Sequence, residues 1–265
     1  MRPLVTNSVL DKQCSFGYRL NMSGPPSRSI VSRRNRPAKS PLSRDVIIST
    51  ALHILERDGL SGLSLRQVAT ALDTGAASLY VYLENLEELH ALMLDQALAA
   101  VQVTEAGRLP WRDRLKTLLL GYLHILYRRQ GLAQLALSTI ASGPNSLRIW
   151  EALLGLLKEG GVDDLRAAWG IDLLILYVTA IAAEQSVRRD SDQGLARVKN
   201  ALSTVSEKQF PLVFALRETL LAGAGETRGE WALDVIIDGI AGVRVKRLSS
   251  GVTRPTKQRG RGRKK

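Results

Sequence analysis

The sequence predicts an all-α protein in which an N-terminal three-helix head, itself a helix-turn-helix (HTH) unit, precedes a larger C-terminal helical bundle. Three observations carry this prediction. Apolar residues recur at helical spacing through the chain's central part, and no stretch shows the period-two alternation of a half-buried strand. No unit of about 20–50 residues repeats, which excludes a solenoid or propeller. The gaps between periodic segments hold the residues that start and stop helices.

The first helix is expected from Asp45 to Arg57, with Val46, Ile47, Ala51, Leu52 and Leu55 near one face, and Asp58-Gly59 ends it as a left-handed cap. Helix two starts at Ser64, whose hydroxyl caps the Gln67 amide while Gln67 reaches back and Leu63 staples onto Val68. It runs to about Leu72. After the turn residues Asp73, Thr74 and Gly75, a third short helix runs from Ala76 to Leu83. Two short helices across a tight turn form a helix-turn-helix. Asn85 with Glu88 opens a longer helix through Leu89, Met93 and Ala100 that links head to body.

Beyond Pro110 the pattern stays helical. Trp111, Leu115, Leu118, Leu119, Tyr122 and Leu126 share a face of a helix that Gly131 ends. Gly143-Pro144 opens another, stopped by Gly160-Gly161. Asp163 and Asp164 open a long apolar helix ending near Arg188-Arg189, and two more follow, from Phe210 to Leu221 and from Glu230 to Lys246.

Charge divides the chain more sharply than hydropathy does. The protein has 265 residues, 45% of them hydrophobic, and a net charge of +12. Residues 1–44 carry +8 and residues 244–265 carry +10, whereas the middle carries −6. Tails rich in Arg, Pro, Ser and Gly bury too little apolar surface to offset the entropy of ordering. The expected organisation is therefore a basic arm over residues 1–42, a head over 43–90, a body over 91–247 and a basic tail over 248–265.

Several classes of function are disfavoured. A single cysteine, Cys14, excludes an intramolecular disulfide framework, and His53, His90 and His124 lack metal-ligand spacing, so no metal and no cofactor are expected. No apolar stretch of signal-peptide length follows Arg2. The apolar run from Ala167 to Ala183 is shorter than the roughly 20 residues of a membrane span and is broken by Asp172, so it reads as a buried helix. A cytoplasmic protein without membrane contact is expected. No nucleophile, glycine-loop or paired-carboxylate motif marks an enzyme.

The stretch from Ile47 to Leu89, in particular Gly59, Leu65-Arg66-Gln67-Val68-Ala69, Ser78-Leu79-Tyr80 and Tyr82-Leu83, resembles the DNA-binding head of the TetR (tetracycline-repressor) family. Gly143-Pro144-Asn145, the long apolar helix ending in Glu184, and Trp231-Ala232-Leu233-Asp234 resemble that family's bodies. The resemblance implies a homodimeric repressor that binds double-stranded DNA and answers to a small-molecule inducer. It implies DNA contacts from Arg44, Ser64, Arg66, Gln67, Gly75, Ala76, Ala77, Ser78, Tyr80 and Tyr82, with Ser78, Tyr80 and Tyr82 offering hydroxyls to phosphates. Arg66 is the best base reader, because a guanidinium bonds both acceptors of a guanine.

Three features depart from the family pattern: Asp73-Thr74 in the turn, Leu86 where a phosphate-gripping Lys is usual, and the short Ala76 and Ala77. Asp tolerates the left-handed conformation, so the turn is expected to survive. Between Asp45 and His90 only Arg57 and Arg66 oppose seven acids, a net −5 that binds a polyanion poorly. The arm before it, with Arg33, Arg34, Arg36 and Lys39, reverses the local sign and is expected to lie along phosphates or in a minor groove.

In the body, Trp111, Tyr122, Trp150, Trp169 and Tyr177 are expected to wall an apolar pocket, with His124, Asp172 and Glu184 as its polar groups. Asp172 and Thr179, seven apart, form a polar stripe on one face. The long helix is apolar all round, so a two-fold partner is expected to cover it. The alternatives are a DNA-compacting protein driven by its tails and, further off, a helical enzyme.

Overall fold

Helices alone make up the regular structure of the described residues of the computed structural model, which are 41–103, 109–188, 193–223 and 225–243. The basic arm with Arg33, Arg34, Arg36 and Lys39, and the C-terminal tail, lie outside them.

Helix α1 (Arg44–Asp58) starts at Ser43, whose Oγ accepts from the Val46 amide at 3.3 Å. It buries Ile47, Ala51, Ile54 and Leu55. The expected left-handed cap is not what ends it: Gly59 has φ 71° but ψ −176°, and it feeds a single 3₁₀ turn, Leu60–Gly62, that the periodicity did not show. Helix α2 (Leu65–Ala71) is capped by Ser64 Oγ at 3.3 Å from the Gln67 amide. The Gln67 side chain is exposed, and Leu63 and Val68 are buried in the head.

Helix α3 is only Ala76–Leu79, shorter than expected, although Leu83 still donates to the Leu79 carbonyl at 3.0 Å. The Tyr82 amide also donates to the Leu79 carbonyl, at 2.9 Å, so the chain leaves α3 through a tight turn that keeps both Leu79 and Leu83 in the core. Helix α4 (Leu86–Leu98) starts with Asn85 Oδ1 accepting from the Glu88 amide at 2.8 Å. It packs on α1 at one end and on the body at the other, so the core runs unbroken from Ile47 to Ile240. Each large side chain fully buried there contributes roughly 1.5–3 kcal/mol.

The body comprises α5 (Trp111–Arg128), α6 (Leu132–Ser138), α7 (Pro144–Glu159), α8 (Asp164–Arg188), α9 (Gln193–Ser203), α10 (Pro211–Leu221) and α11 (Gly225–Gly242). Helices α6 and α9 were not anticipated, and α11 begins five residues earlier than expected. Helix α8 is the spine, packed against α5, α6, α7 and α11. By length and composition Asp164–Val187 is long and apolar enough to cross a membrane, with mean hydropathy 1.6, which the shorter run in the sequence did not suggest. Its inner face is instead the floor on which those four helices rest.

Charged pairs pin the bundle at its edges. Arg114, buried at the start of α5, pairs with Glu159 at the end of α7. Lys116 reaches Asp234 of α11 at 2.8 Å, and Arg112 reaches Asp238 at 2.6 Å. Helices α9 and α10 pack on each other and bury no residue completely.

Candidate DNA-binding surface and ligand cavity

The turn between α2 and α3 sets the geometry of the head. Asp73 adopts φ 50°, and it is the one non-glycine residue with positive φ among the described residues. The turn is closed by Asp73 N to Thr70 O at 3.0 Å and Thr74 N to Ala69 O at 2.9 Å. The expected tolerance of Asp for this conformation is what is seen.

Burial of Val68, Ala69 and Leu79 fixes the outward face. Arg66, Gln67, Ala77 and Tyr80 are exposed, Tyr80 at 58%, while Ser64, Ala76, Ser78 and Tyr82 are partly covered and Gly75 is open as the N-cap of α3. Tyr80 is therefore surface, not core. Arg66 has no ion-pair partner among the described residues. Ser64 accepts a bond through its Oγ, and its own hydroxyl proton stays available for a phosphate oxygen. The sequence reading missed Val81, which is 79% exposed beside Tyr80. Its signal was phase, since Leu79 and Leu83 point inward and the two residues that follow Leu79 must point out.

Arg44 is exposed and also bonded within the head. Its Nε donates to the Tyr82 carbonyl at 3.0 Å and its Nη2 bonds Glu88 at 2.6 Å, so it ties the start of α1 to the corner between α3 and α4. Arg57 is similarly occupied by Asp58 at 2.6 Å. Both are exposed but each carries an acidic partner, which leaves Arg66 as the head's cation without an ion-pair partner among the described residues.

A cavity of about 550 Å³ lies in the body, walled by α4, α5, α7, α8 and the segment from Ala136 to Ala141. Of the eight residues expected there, Tyr122, Trp150 and Asp172 line it, and Thr179 of the anticipated polar stripe does too. Burial pushes the Tyr122 phenol above the ordinary tyrosine range, and Thr179 offsets part of that rise. The other five are elsewhere. Trp111 packs on Gly160, where an added Cβ would stand 2.5 Å from the indole. His124 is exposed on α5, and Trp169, 50% exposed, is on the outer face of α8. Glu184 is exposed on α8, and half-buried Tyr177 is raised by burial and then by the Glu184 charge. Helical phase separates the groups: residues 168, 172, 175, 176 and 179 share the cavity face of α8, while 169, 177 and 184 are rotated away from it.

The cavity's connection to the head was not foreseen. Asp95 on α4 is buried, and its carboxylate accepts from the Ser146 amide and hydroxyl at 2.9 and 2.8 Å and from the Asn145 amide and side chain at 3.3 and 3.0 Å. Burial alone raises its pKa, but these four bonds outweigh burial and hold it below the usual carboxylate range. Leu94 and Leu98 on the same helix, and Ser146 on α7, face the cavity. No group of three or more potential metal ligands occurs among the described residues.

Comparison with known proteins agrees with this architecture. The family model for the tetracyclin repressor-like C-terminal domain matches residues 104–244. The HTH-type transcriptional repressor DrrR1 of Streptomyces coeruleorubidus is 28% identical over 218 residues, which is 78% of this chain and 80% of that protein. Apo ActR from Streptomyces coelicolor superposes with a TM-score of 0.70 at 34% identity, covering 77% of this chain and 97% of ActR. ActR in complex with actinorhodin superposes equally, with a TM-score of 0.70 at 34% identity over 76% of this chain and 96% of that one. The chain belongs to the tetracycline-repressor (TetR) family of transcriptional regulators. It is a DNA-binding regulator of transcription.

Proposed function

We propose that this protein is a homodimeric repressor that holds a near-palindromic operator through α2 and α3 and releases it when a small molecule fills the body cavity. The observation that carries the reading is that one helix, α4, belongs to both parts: it packs on α1 of the head and supplies Leu94 and Leu98 to the cavity wall. A ligand wedged between α4 and α7 acts on the helix that aims the head. The coupling needed is modest, about 1–3 kcal/mol of differential affinity between two body states.

The dimer is supported by apolar surface with no cover in the single chain. Trp169, Leu173 and Val187 of α8 and Trp231 and Val235 of α11 are exposed. A two-fold arrangement buries these faces against their own copies and sets two α3 helices about 34 Å apart, one turn of DNA. In each half-site Arg66 reads a guanine edge, Tyr80 and Ser78 bond phosphates, and Val81 packs on a thymine methyl. The arm residues Arg33, Arg34, Arg36 and Lys39 supply the phosphate grip that the acidic head lacks. The protein acts in the cytoplasm, where its DNA is.

The test is duplex binding in the presence of excess bulk DNA by the full-length protein and by Arg66→Ala and Tyr80→Ala. Loss of the preference for operator over bulk DNA in Arg66→Ala supports the reading. Unchanged preference in both variants contradicts it.

A further inference from the structure

We infer that the cavity's ligand is a largely apolar organic molecule carrying a protonated amine, and that Asp172 is the group that selects the amine. The inference rests on reading the cavity as the ligand site. The lining is mostly aliphatic, with the rings of Tyr122 and Trp150 as its aromatic surfaces and hydroxyls such as Ser146 and Thr179 as its neutral polar groups. Asp172 is the one carboxylate in that lining, and no Lys, Arg or His is there to oppose it.

This asymmetry decides the sign of the ligand. A carboxylate without a neighbouring cation repels an anion and attracts an ammonium. It has no ion-pair partner among the described residues, so a bound amine displaces no existing bridge. Asp95, just behind Ser146, adds a second negative charge whose own acceptor oxygens are already taken by Asn145 and Ser146. The two aromatic rings favour the same sign, since a cation is drawn to the face of an indole or phenol. A lone carboxylate does not make a metal site, which leaves an organic cation as the class that fits. The size also fits, because about 550 Å³ is in the range of pockets that enclose a ring system of drug size.

The experiment is calorimetric titration of the full-length protein with three compounds of one shape: anthracenylmethylamine, anthracenylmethanol and anthracenecarboxylate. The wild type should bind the amine about tenfold tighter than the alcohol, because only the ammonium forms an ion pair with the carboxylate, and the carboxylate weakest. Asp172→Asn, an exposed isosteric change, should bring the amine level with the alcohol and leave the melting temperature unchanged. Equal affinity for amine and alcohol in the wild type, or an amine advantage that survives in Asp172→Asn, overturns the assignment and leaves the cavity as a ligand site. Failure of all three compounds to bind overturns both.

Discussion

Asp95 and Arg148 cap each other's helices. Asp95 on α4 accepts from the first amides of α7, and Arg148 on α7 donates through Nη2 to the Leu98 and Val101 carbonyls at the end of α4, at 3.4 and 3.0 Å. An anion thus sits at a helix N-terminus and a cation at a helix C-terminus, each stabilising the other's dipole end. The two helices that flank the cavity are locked in register by this exchange.

Removing the buried member should cost most. Asp95→Ala orphans the Asn145 and Ser146 donors and is expected to lower unfolding free energy by about 2–3 kcal/mol, while Arg148→Ala, at an exposed site, costs about 0.5–1.5 kcal/mol. Urea denaturation measures both. An Asp95→Ala change no larger than that of Arg148→Ala contradicts the account.

Gly143 allows Asp95 to approach. A Cβ there would stand 2.4–2.7 Å from the carboxyl atoms of Asp95, whose position is fixed by its four bonds. Gly143→Ala should therefore break the same hydrogen bonds, and its cost should fail to add to that of Asp95→Ala. A double-mutant cycle reads this directly, and full additivity would show that the two residues act independently.

Acid should weaken the fold through two groups. Burial lowers the His90 pKa against the opposing charge of Glu87, and His90 Nε2 has no partner among the described residues. The Asp95 pKa is lowered as well, its hydrogen bonds outweighing burial. In both cases the unfolded state holds more protons than the native one, so stability present at neutral pH is lost on acidification. The loss should begin near the free histidine value of about 6.5 and resume near the free aspartate value of about 3.9. Melting temperature against pH checks this, with His90→Gln removing the first limb. A melting temperature that rises as pH falls from neutrality would contradict it.

The arm should appear in the salt dependence of DNA binding. Deleting residues 1–40 is expected to weaken operator affinity and flatten the plot of log affinity against log salt by about 0.9 for each phosphate that the arm neutralises. An unchanged slope would show that Arg33, Arg34, Arg36 and Lys39 touch no phosphate.

What could be seen in the sequence was local. Ser64, Asn85 and Gly143-Pro144 announce helix starts because a cap needs only its own next three residues, and Asp73 announced its turn for the same reason. Helix α6 stayed hidden because Leu132–Ser138 is apolar nearly throughout and has no side-chain cap, so it shows no period. In α8, spacing grouped Asp172 with Thr179 correctly. It did not say that Trp169, Tyr177 and Glu184 lie off the cavity, since orientation depends on helices distant in sequence. Arg44 and Asp95 escaped for that reason too: their partners are 38 to 51 residues away.

The central claim is that α2 and α3 read a specific duplex twice per dimer. Selection of bound DNA from a random pool by the purified full-length protein measures it most directly. The expected result is enrichment of a near-palindrome whose half-sites are centred about one helical turn apart. A pool that stays random after repeated rounds, with affinity set by salt alone, would instead describe a protein that compacts DNA through its basic tails.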